Sequence, residues 1–104
     1  MQQPSKRYVG VHKELNGGMT DTAKIIRDAW VFGLIPESET CEGWLAQDIE
    51  SLWVKVDAEW EIYGFLVSRL PDELRQRFIH IQSEAFKKAK TGGWDPNSEL
   101  LVGD

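Results

Sequence analysis

The sequence predicts a small, mainly α-helical domain of three helices, built on a long antiparallel helical hairpin. Two observations predict this fold. Apolar residues recur at helical spacing in three segments that Gly and Pro separate, and strand-like character is confined to the region of residues 8–11. At 104 residues, one domain is expected. We divide it into an extended N-terminal arm (1–19), a helical core (20–91) and an acidic tail (92–104).

The first predicted helix begins at Thr20 or Asp21, because either side chain can cap free backbone N–H groups. Gly33 is a natural stop for this helix. Asp28 is expected to point away from the buried stripe. That stripe is formed by residues at helical spacing: Ala23, Ile26, Ala29 and Trp30.

The second predicted helix has the strongest apolar pattern. We expect it to begin between Pro36 and Gly43 and to run to Leu70, with Gly64 inside it as a weak point or kink. Its acidic residues cluster in the first half, where a helix N-terminus favours negative charge. The apolar stripe consists of Leu45, Ile49, Leu52, Trp53, Val56, Trp60, Tyr63, Leu66, Val67 and Leu70.

The third predicted helix opens at Pro71-Asp72 and ends at Gly92. The tight connection before it predicts that the second and third helices are antiparallel. In the tail, Asp95-Pro96 predicts a short helical turn. The buried stripe of the third helix consists of Leu74, Phe78, Ile81, Ala85 and Ala89.

Charge is unevenly distributed along the chain, whose formal net charge is −5. Residues 37–61 carry eight acids against one lysine, for −7, whereas residues 62–91 carry six bases against three acids, for +3. An antiparallel hairpin would place the acidic start of the second helix beside the lysine-rich end of the third. We therefore interpret the charge segregation as largely internal complementarity.

Composition narrows the class of protein and its compartment. One cysteine excludes an intrachain disulfide and favours a reducing compartment, and we expect a cytoplasmic protein. No apolar run approaches the ~20 residues of a membrane span, and the first residues lead into no signal-peptide core. Because the second helix is strongly acidic, phosphate repulsion argues against nucleic-acid binding. No membrane partner is expected either.

No motif for catalysis, a metal or a cofactor is present. His12, Cys41 and His80 are scattered, and none has metal-ligand spacing. His80 is expected on a solvated helix face. We assign no catalytic residue, no metal ligand and no cofactor. An alternative hypothesis is a small enzyme or ligand-binding domain whose pocket lies between the first helix and the hairpin. It would use His12, Cys41 or Glu59, and two of these side chains would have to meet in one cavity.

Apolar residues exceed what the helical stripes can bury. Trp44 and Ile62 project about 100° from the main stripe of the second helix, and Phe65 lies almost opposite it. We predict that Trp44, Ile62 and Phe65 form an aromatic interaction surface with an acidic rim. The predicted function is non-catalytic binding of another protein, or of a second copy through the second helix. A wholly buried central helix is the alternative.

Overall fold

The computed structural model describes residues 7–14 and 18–91, and it confirms a mainly helical fold with three helices. Within these residues the extended backbone pairs only at an isolated antiparallel bridge between Arg7 and Leu45. The predicted acidic tail (92–104), with its helical turn, lies outside the described residues. The helices are α1 (Asp21–Val31), α2 (Ala46–Ile62) and α3 (Asp72–Thr91), and 3-10 turns occur at Val11–Lys13 and Val67–Arg69.

The α1 helix is the centre of the fold, because it packs against both α2 and α3. Ala23, Ile26, Ala29 and Val31 are fully buried along it. The two alanines leave room for close approach of neighbouring helices. The contacts of α1 with α2 and with α3 are more extensive than those between α2 and α3, although the rings of Trp60 in α2 and Phe78 in α3 meet edge to face with centroids 5.8 Å apart. More than a hairpin of α2 and α3, α1 therefore joins the three helices.

Both ends of α1 match the prediction. The Thr20 side chain accepts a hydrogen bond from a backbone N–H of the first turn at 3.1 Å. At the other end Gly33 adopts φ 72°, and its N–H donates to Trp30 O at 3.2 Å. The N–H of Leu34 donates to Ala29 O at 2.9 Å, which completes a Schellman motif. Local capping residues therefore determine where α1 begins and ends.

The α2 helix begins at Ala46, later than predicted. Cys41 and Gly43 have positive φ values of 63° and 84°, so the chain before α2 cannot be helical. The backbone N–H of Leu45 donates to Oδ2 of Asp48 at 3.1 Å, as in one half of a capping box. This acid fixes the start of the helix.

The predicted continuation of the second helix to Leu70 is wrong, because α2 ends at a glycine cap. Gly64 adopts φ 62°, and its N–H donates to Glu61 O at 3.1 Å. Phe65 follows at φ 61° and donates to Trp60 O at 3.0 Å. These bonds form a second Schellman motif. Gly64 is therefore the helix terminator, not a kink.

The N-terminal arm pairs with the loop that precedes α2. Tyr8 N donates to Trp44 O at 2.8 Å, and Gly43 N donates to Tyr8 O at 2.8 Å. Further along, Val11 N donates to Thr40 O at 3.2 Å. This pairing explains the extended character that was predicted for the arm. Its partner, residues 40–44, was expected to lie in or near the start of the second helix.

The core lies between α1 and the inner faces of α2 and α3. Trp30 and Trp60 are buried there as predicted, whereas Trp53 is 37% exposed and is not a core residue. The remaining core residues contributed by α2 and α3 are Ile49, Leu52, Val56, Ile81 and Ala89.

The ion pairs of the described residues do not join α2 to α3. Lys13 Nζ lies 3.0 Å from Glu42 Oε1, and Arg75 Nη2 lies 2.5 Å from Asp72 Oδ1. Direct ion pairs of the described residues therefore do not carry complementarity between these two helices, and the interpretation of the charge segregation as internal complementarity stays a prediction. Four acids of α2 are exposed, Asp48, Glu50, Asp57 and Glu61, whereas Glu59 is half-buried.

Candidate functional site

The side of α2 that faces away from the core carries a continuous apolar stripe. Val54, Ala58 and Ile62 follow one another at intervals of four residues, and all are exposed. Phe65 and Leu66, which follow closely after the helix end, are exposed as well. Ile62 is 69% exposed and Phe65 is 59% exposed. We call these five residues the outer surface of α2.

Acidic residues border one edge of this surface. Glu50, Asp57 and Glu61 are all exposed on α2. At ~100° per residue they lie roughly 20–60° to one side of Val54. Lys55 lies on the other side of the stripe. The outer surface is therefore apolar with an acidic rim on one edge, the chemistry that the sequence predicts for an interaction surface.

Phe65 is held in an unfavourable backbone conformation. It is one of two described non-glycine residues with positive φ, the other being Cys41. This conformation costs a residue with a Cβ atom about 1–2 kcal/mol. The ring is nevertheless mostly exposed, so burial does not repay the strain. The backbone hydrogen bond from Phe65 N–H to Trp60 O, which caps α2, accompanies this conformation, and the exposed ring stays available for contacts outside the fold.

Trp44 lies apart from the outer surface of α2. It is half-buried against the core, in the loop that precedes α2. Because α2 rises 1.5 Å per residue, Trp44 is separated from Ile62 by roughly 25 Å along the helix axis. Of the three predicted interaction residues, Ile62 and Phe65 are exposed and Trp44 is half-buried. An interaction role for all three stays a prediction.

The second candidate region is concave. We call it the α1–α3 groove, and it lies between the 3-10 turn at residues 11–13, α1 and α3. Its volume is about 630 Å³, within the range of small-molecule sites. Apolar lining residues are Val11, Trp30, Ile81 and Ala85, and the charged or titratable ones are His12, Glu14, Arg27, Glu37, His80, Glu84, Lys87 and Lys88.

Arg27 is the buried charge of the groove. Its side chain is only 2% exposed. Nη1 donates to the carbonyl oxygen of Gly18, and Nη2 lies 3.9 Å from Met19 Sδ. Nε has no hydrogen-bond partner, and no described carboxylate lies within ion-pair distance of the guanidinium. Burial lowers the pKa of Arg27, while Asp28 and Glu14 act to raise it.

His12 and Lys88 meet at the rim of the groove. Lys88 Nζ lies 3.1 Å from His12 Nδ1. The lysine ammonium has donors only, so Nδ1 accepts and the imidazole proton lies on Nε2. Partial burial, and then Lys88, lower the pKa of His12. The imidazole also contacts Trp30, with ring centroids 6.4 Å apart. The pair thus presents a cation beside a neutral N–H donor.

Glu14 belongs to a hydrogen-bonded cluster beside the groove. Tyr8 donates its hydroxyl to Oε2 of Glu14, and Thr20 Oγ1 lies 2.8 Å from both carboxylate oxygens. Burial and the hydrogen bond to Glu14 raise the pKa of Tyr8 above its usual value. This carboxylate is therefore occupied by hydroxyl donors and is not paired with the guanidinium of Arg27.

The three residues of the alternative enzyme hypothesis do not meet. His12 lines the groove, but Cys41 is fully buried behind the arm, and burial with Glu39 raises its thiol pKa to about 12. Glu59 is half-buried on α2 and does not line the groove. The described part of the chain also holds no group of three potential metal ligands. The cavity therefore lacks the convergence that this hypothesis requires.

Two charged residues of α1 were missed from the sequence. Arg27 occupies a stripe position, four residues after Ala23 and three before Trp30, and that spacing was the available signal. Asp28 was expected to point outward, but its Oδ2 accepts a hydrogen bond from Trp60 Nε1 at 3.0 Å. Burial raises the pKa of Asp28, although the Trp60 bond and Arg27 act to lower it. Asp28 thus links α1 to α2.

No helix of the described residues has the length and apolar character needed to cross a membrane. Comparison of the chain with models of protein families, with curated proteins and with solved structures finds no match.

Proposed function

We propose that this protein binds another protein, without catalysis, through the outer surface of α2. Its partner is an amphipathic helix that carries basic residues beside its apolar face. The observation that supports this most directly is the exposed stripe of Val54, Ala58 and Ile62, continued by Phe65 and bordered by acids. Contiguous exposed apolar residues with a polar border are typical of protein interaction sites.

The shape of the stripe favours a helical partner. Val54 and Ile62 are eight residues apart, so the stripe spans roughly 12 Å along the α2 axis before Phe65 extends it. A partner helix presents apolar anchors three and four residues apart over the same distance. The aromatic ring at Phe65 supplies the kind of large anchor that dominates binding energy in such interfaces.

The charge of the rim favours a basic partner over a second copy of this chain. Glu50, Asp57 and Glu61 carry three negative charges beside the stripe, and only Lys55 lies on its other side. Pairing two α2 helices through their outer surfaces would bring six carboxylates together. Like charges at an interface disfavour association, whereas basic residues of a partner complement the rim.

The proposal is tested with helical peptides selected for binding to the full chain from a randomised display library. Binders are expected to share an apolar face flanked by Lys or Arg. One selected peptide is then titrated against wild type, Ile62→Glu and the matched control Ile79→Glu, in which an exposed isoleucine of α3 is changed. We expect Ile62→Glu to weaken binding at least about tenfold, and Ile79→Glu to leave it unchanged.

Salt and self-association complete the test. Affinity for the selected peptide should fall as ionic strength rises, because the rim contacts are exposed to screening. Peptides without basic residues, or equal effects of the two glutamate substitutions, would contradict the proposal. Sedimentation of the full chain tests whether a second copy of the chain binds to the outer surface of α2 instead. A dimer that Ile62→Glu dissociates would contradict the proposed basic helix and identify the second copy as the partner.

A further inference from the structure

We infer that the α1–α3 groove is a binding site for a small organic molecule with a single oxyanion group, a carboxylate or a phosphate, attached to an apolar body. The inference is independent of the proposed function, because the groove and the outer surface of α2 share no residue. It depends on an unpaired guanidinium, on a cationic rim and on the apolar walls between them.

The first step concerns Arg27, whose guanidinium lines the groove and is 2% exposed. A buried charge is strongly unfavourable unless an opposite charge and hydrogen bonds compensate it. Here Nη1 donates to Gly18 O and Nη2 contacts Met19 Sδ, Nε has no partner, and no described acid is within ion-pair distance. Asp28 and Glu14 act on Arg27 only beyond ion-pair distance, and an oxyanion in the groove would supply a negative oxygen in direct contact with the guanidinium.

The second step concerns the rim. Lys88 and His12 stand at 3.1 Å from each other, and both line the groove. The Lys88 ammonium has two further N–H donors after the bond to Nδ1, and the His12 ring carries one on Nε2. These donors line the same groove as the buried cation, and an anionic group bound there would accept charge-assisted hydrogen bonds from them.

The third step limits the size and charge of the ligand. Val11, Trp30, Ile81 and Ala85 provide apolar walls, which suit a ring or a short hydrocarbon chain. Three acids also line the groove, Glu14, Glu37 and Glu84, against the three permanent cations Arg27, Lys87 and Lys88. This balance disfavours polyphosphates and nucleic acids, so the site suits one anionic group.

The experiment is a titration of the isotope-labelled full chain, followed by amide and indole NMR signals. The probes are benzoate, phenyl phosphate, inorganic phosphate and the uncharged analogue benzyl alcohol. Benzoate or phenyl phosphate should give saturable shifts centred on Val11, Arg27, Trp30 and Ile81. Benzoate alone would identify a carboxylate site, and phenyl phosphate alone a phosphate site.

Two substitutions of exposed lysines separate a specific site from general attraction. Lys88→Gln removes a groove cation, and Lys24→Gln removes an exposed cation of α1 that does not line the groove. Lys88→Gln should weaken binding about tenfold, the loss expected for one charge-assisted hydrogen bond, with Lys24→Gln unchanged. Equal losses in both variants, equal binding of benzyl alcohol, or no saturable shift with any anion would overturn the inference.

Discussion

The two sides of α1 accommodate a buried charge differently. Arg27 and Asp28 are neighbours on this helix, and burial shifts the pKa of each toward its neutral form, downward for Arg27 and upward for Asp28. On the α2 side, Trp60 Nε1 donates to Asp28 at 3.0 Å. On the groove side, Arg27 Nε has no partner. The protein's own side chains satisfy the first charge and leave the second incompletely satisfied.

The Asp28–Trp60 contact is structural, whereas the outer surface of α2 and the α1–α3 groove are both open to solvent. Asp28 and Trp60 help to fix the inner face of α2, so its outer surface can present Ile62 and Phe65 to a partner without supporting the core. On the other side of α1, the α1–α3 groove is open to solvent and has a volume of about 630 Å³. One region therefore suits recognition by shape and apolar area, and the other suits recognition of charge.

The largest expected effect tests the contact on the α2 side. Trp60→Phe removes the donor that serves Asp28 and reduces the ring that makes edge contacts with Phe32 and Phe78 at 5.2 and 5.8 Å. We expect the free energy of unfolding in urea to fall by about 2 kcal/mol, since a half-buried carboxylate loses its hydrogen bond and packing is lost.

Trp53→Phe is the matched control for this substitution. It makes the same chemical change on the same helix at a residue that is 37% exposed and outside the core. Its effect should be within about 0.5 kcal/mol, as for surface substitutions. If both variants lost the same free energy of unfolding, the hydrogen bond between Trp60 and Asp28 would add nothing to the stability of the fold.

Two glycines show how far local sequence could predict the helices. Gly33 and Gly64 terminate α1 and α2 with the same pair of backbone hydrogen bonds. Gly33 was predicted to end α1 because a glycine is a natural helix stop and Pro36 lies just beyond it. Gly64 was missed because Leu66, Val67 and Leu70 continue the helical spacing, although Leu66 and Val67 are exposed. Periodicity alone could not separate a continuing helix from a capped one.

The site depends on contacts between distant segments, which periodicity does not report. The exposure of Ile62 could be predicted because its position relative to the α2 stripe follows from the sequence. Phe65 is exposed too, but it lies beyond the end of α2, so the helical geometry from which it was placed does not apply to it. Trp44 could not be placed, since its loop is fixed by pairing with Tyr8, 36 residues earlier. The position of Arg27 in the α1 stripe could be read from the sequence. Its place in the wall of a groove could not, because the groove forms only where the arm and α3 pack beside α1.

A smaller effect, in the stabilising direction, is expected at the outer surface. Phe65→Asn replaces a residue strained at φ 61° with one that tolerates positive φ. We expect the free energy of unfolding to rise by about 0.5 kcal/mol, while affinity for the selected peptide falls because the ring is lost. Phe65→Ala keeps the strain and should weaken binding without stabilising. Destabilisation by Phe65→Asn would instead assign the ring to the fold.

The smallest effect is a pH dependence at Asp28. Because burial raises its pKa in the folded state above the ordinary 3.8, the folded protein binds this proton more readily than the unfolded chain. Its stabilising contribution is therefore fully present below the ordinary value and is lost as pH rises through the raised pKa. Asp28→Asn keeps an oxygen that accepts from Trp60 and does not titrate. The variant should be more stable than wild type at neutral pH, and the difference should shrink on acidification.

Urea denaturation across this pH range measures the difference in free energy of unfolding, with the exposed substitution Asp57→Asn as the control for loss of one negative charge. A difference that is equal at all pH values would show that the carboxylate is as well solvated in the fold as in the unfolded chain, and the contrast with Arg27 would then disappear.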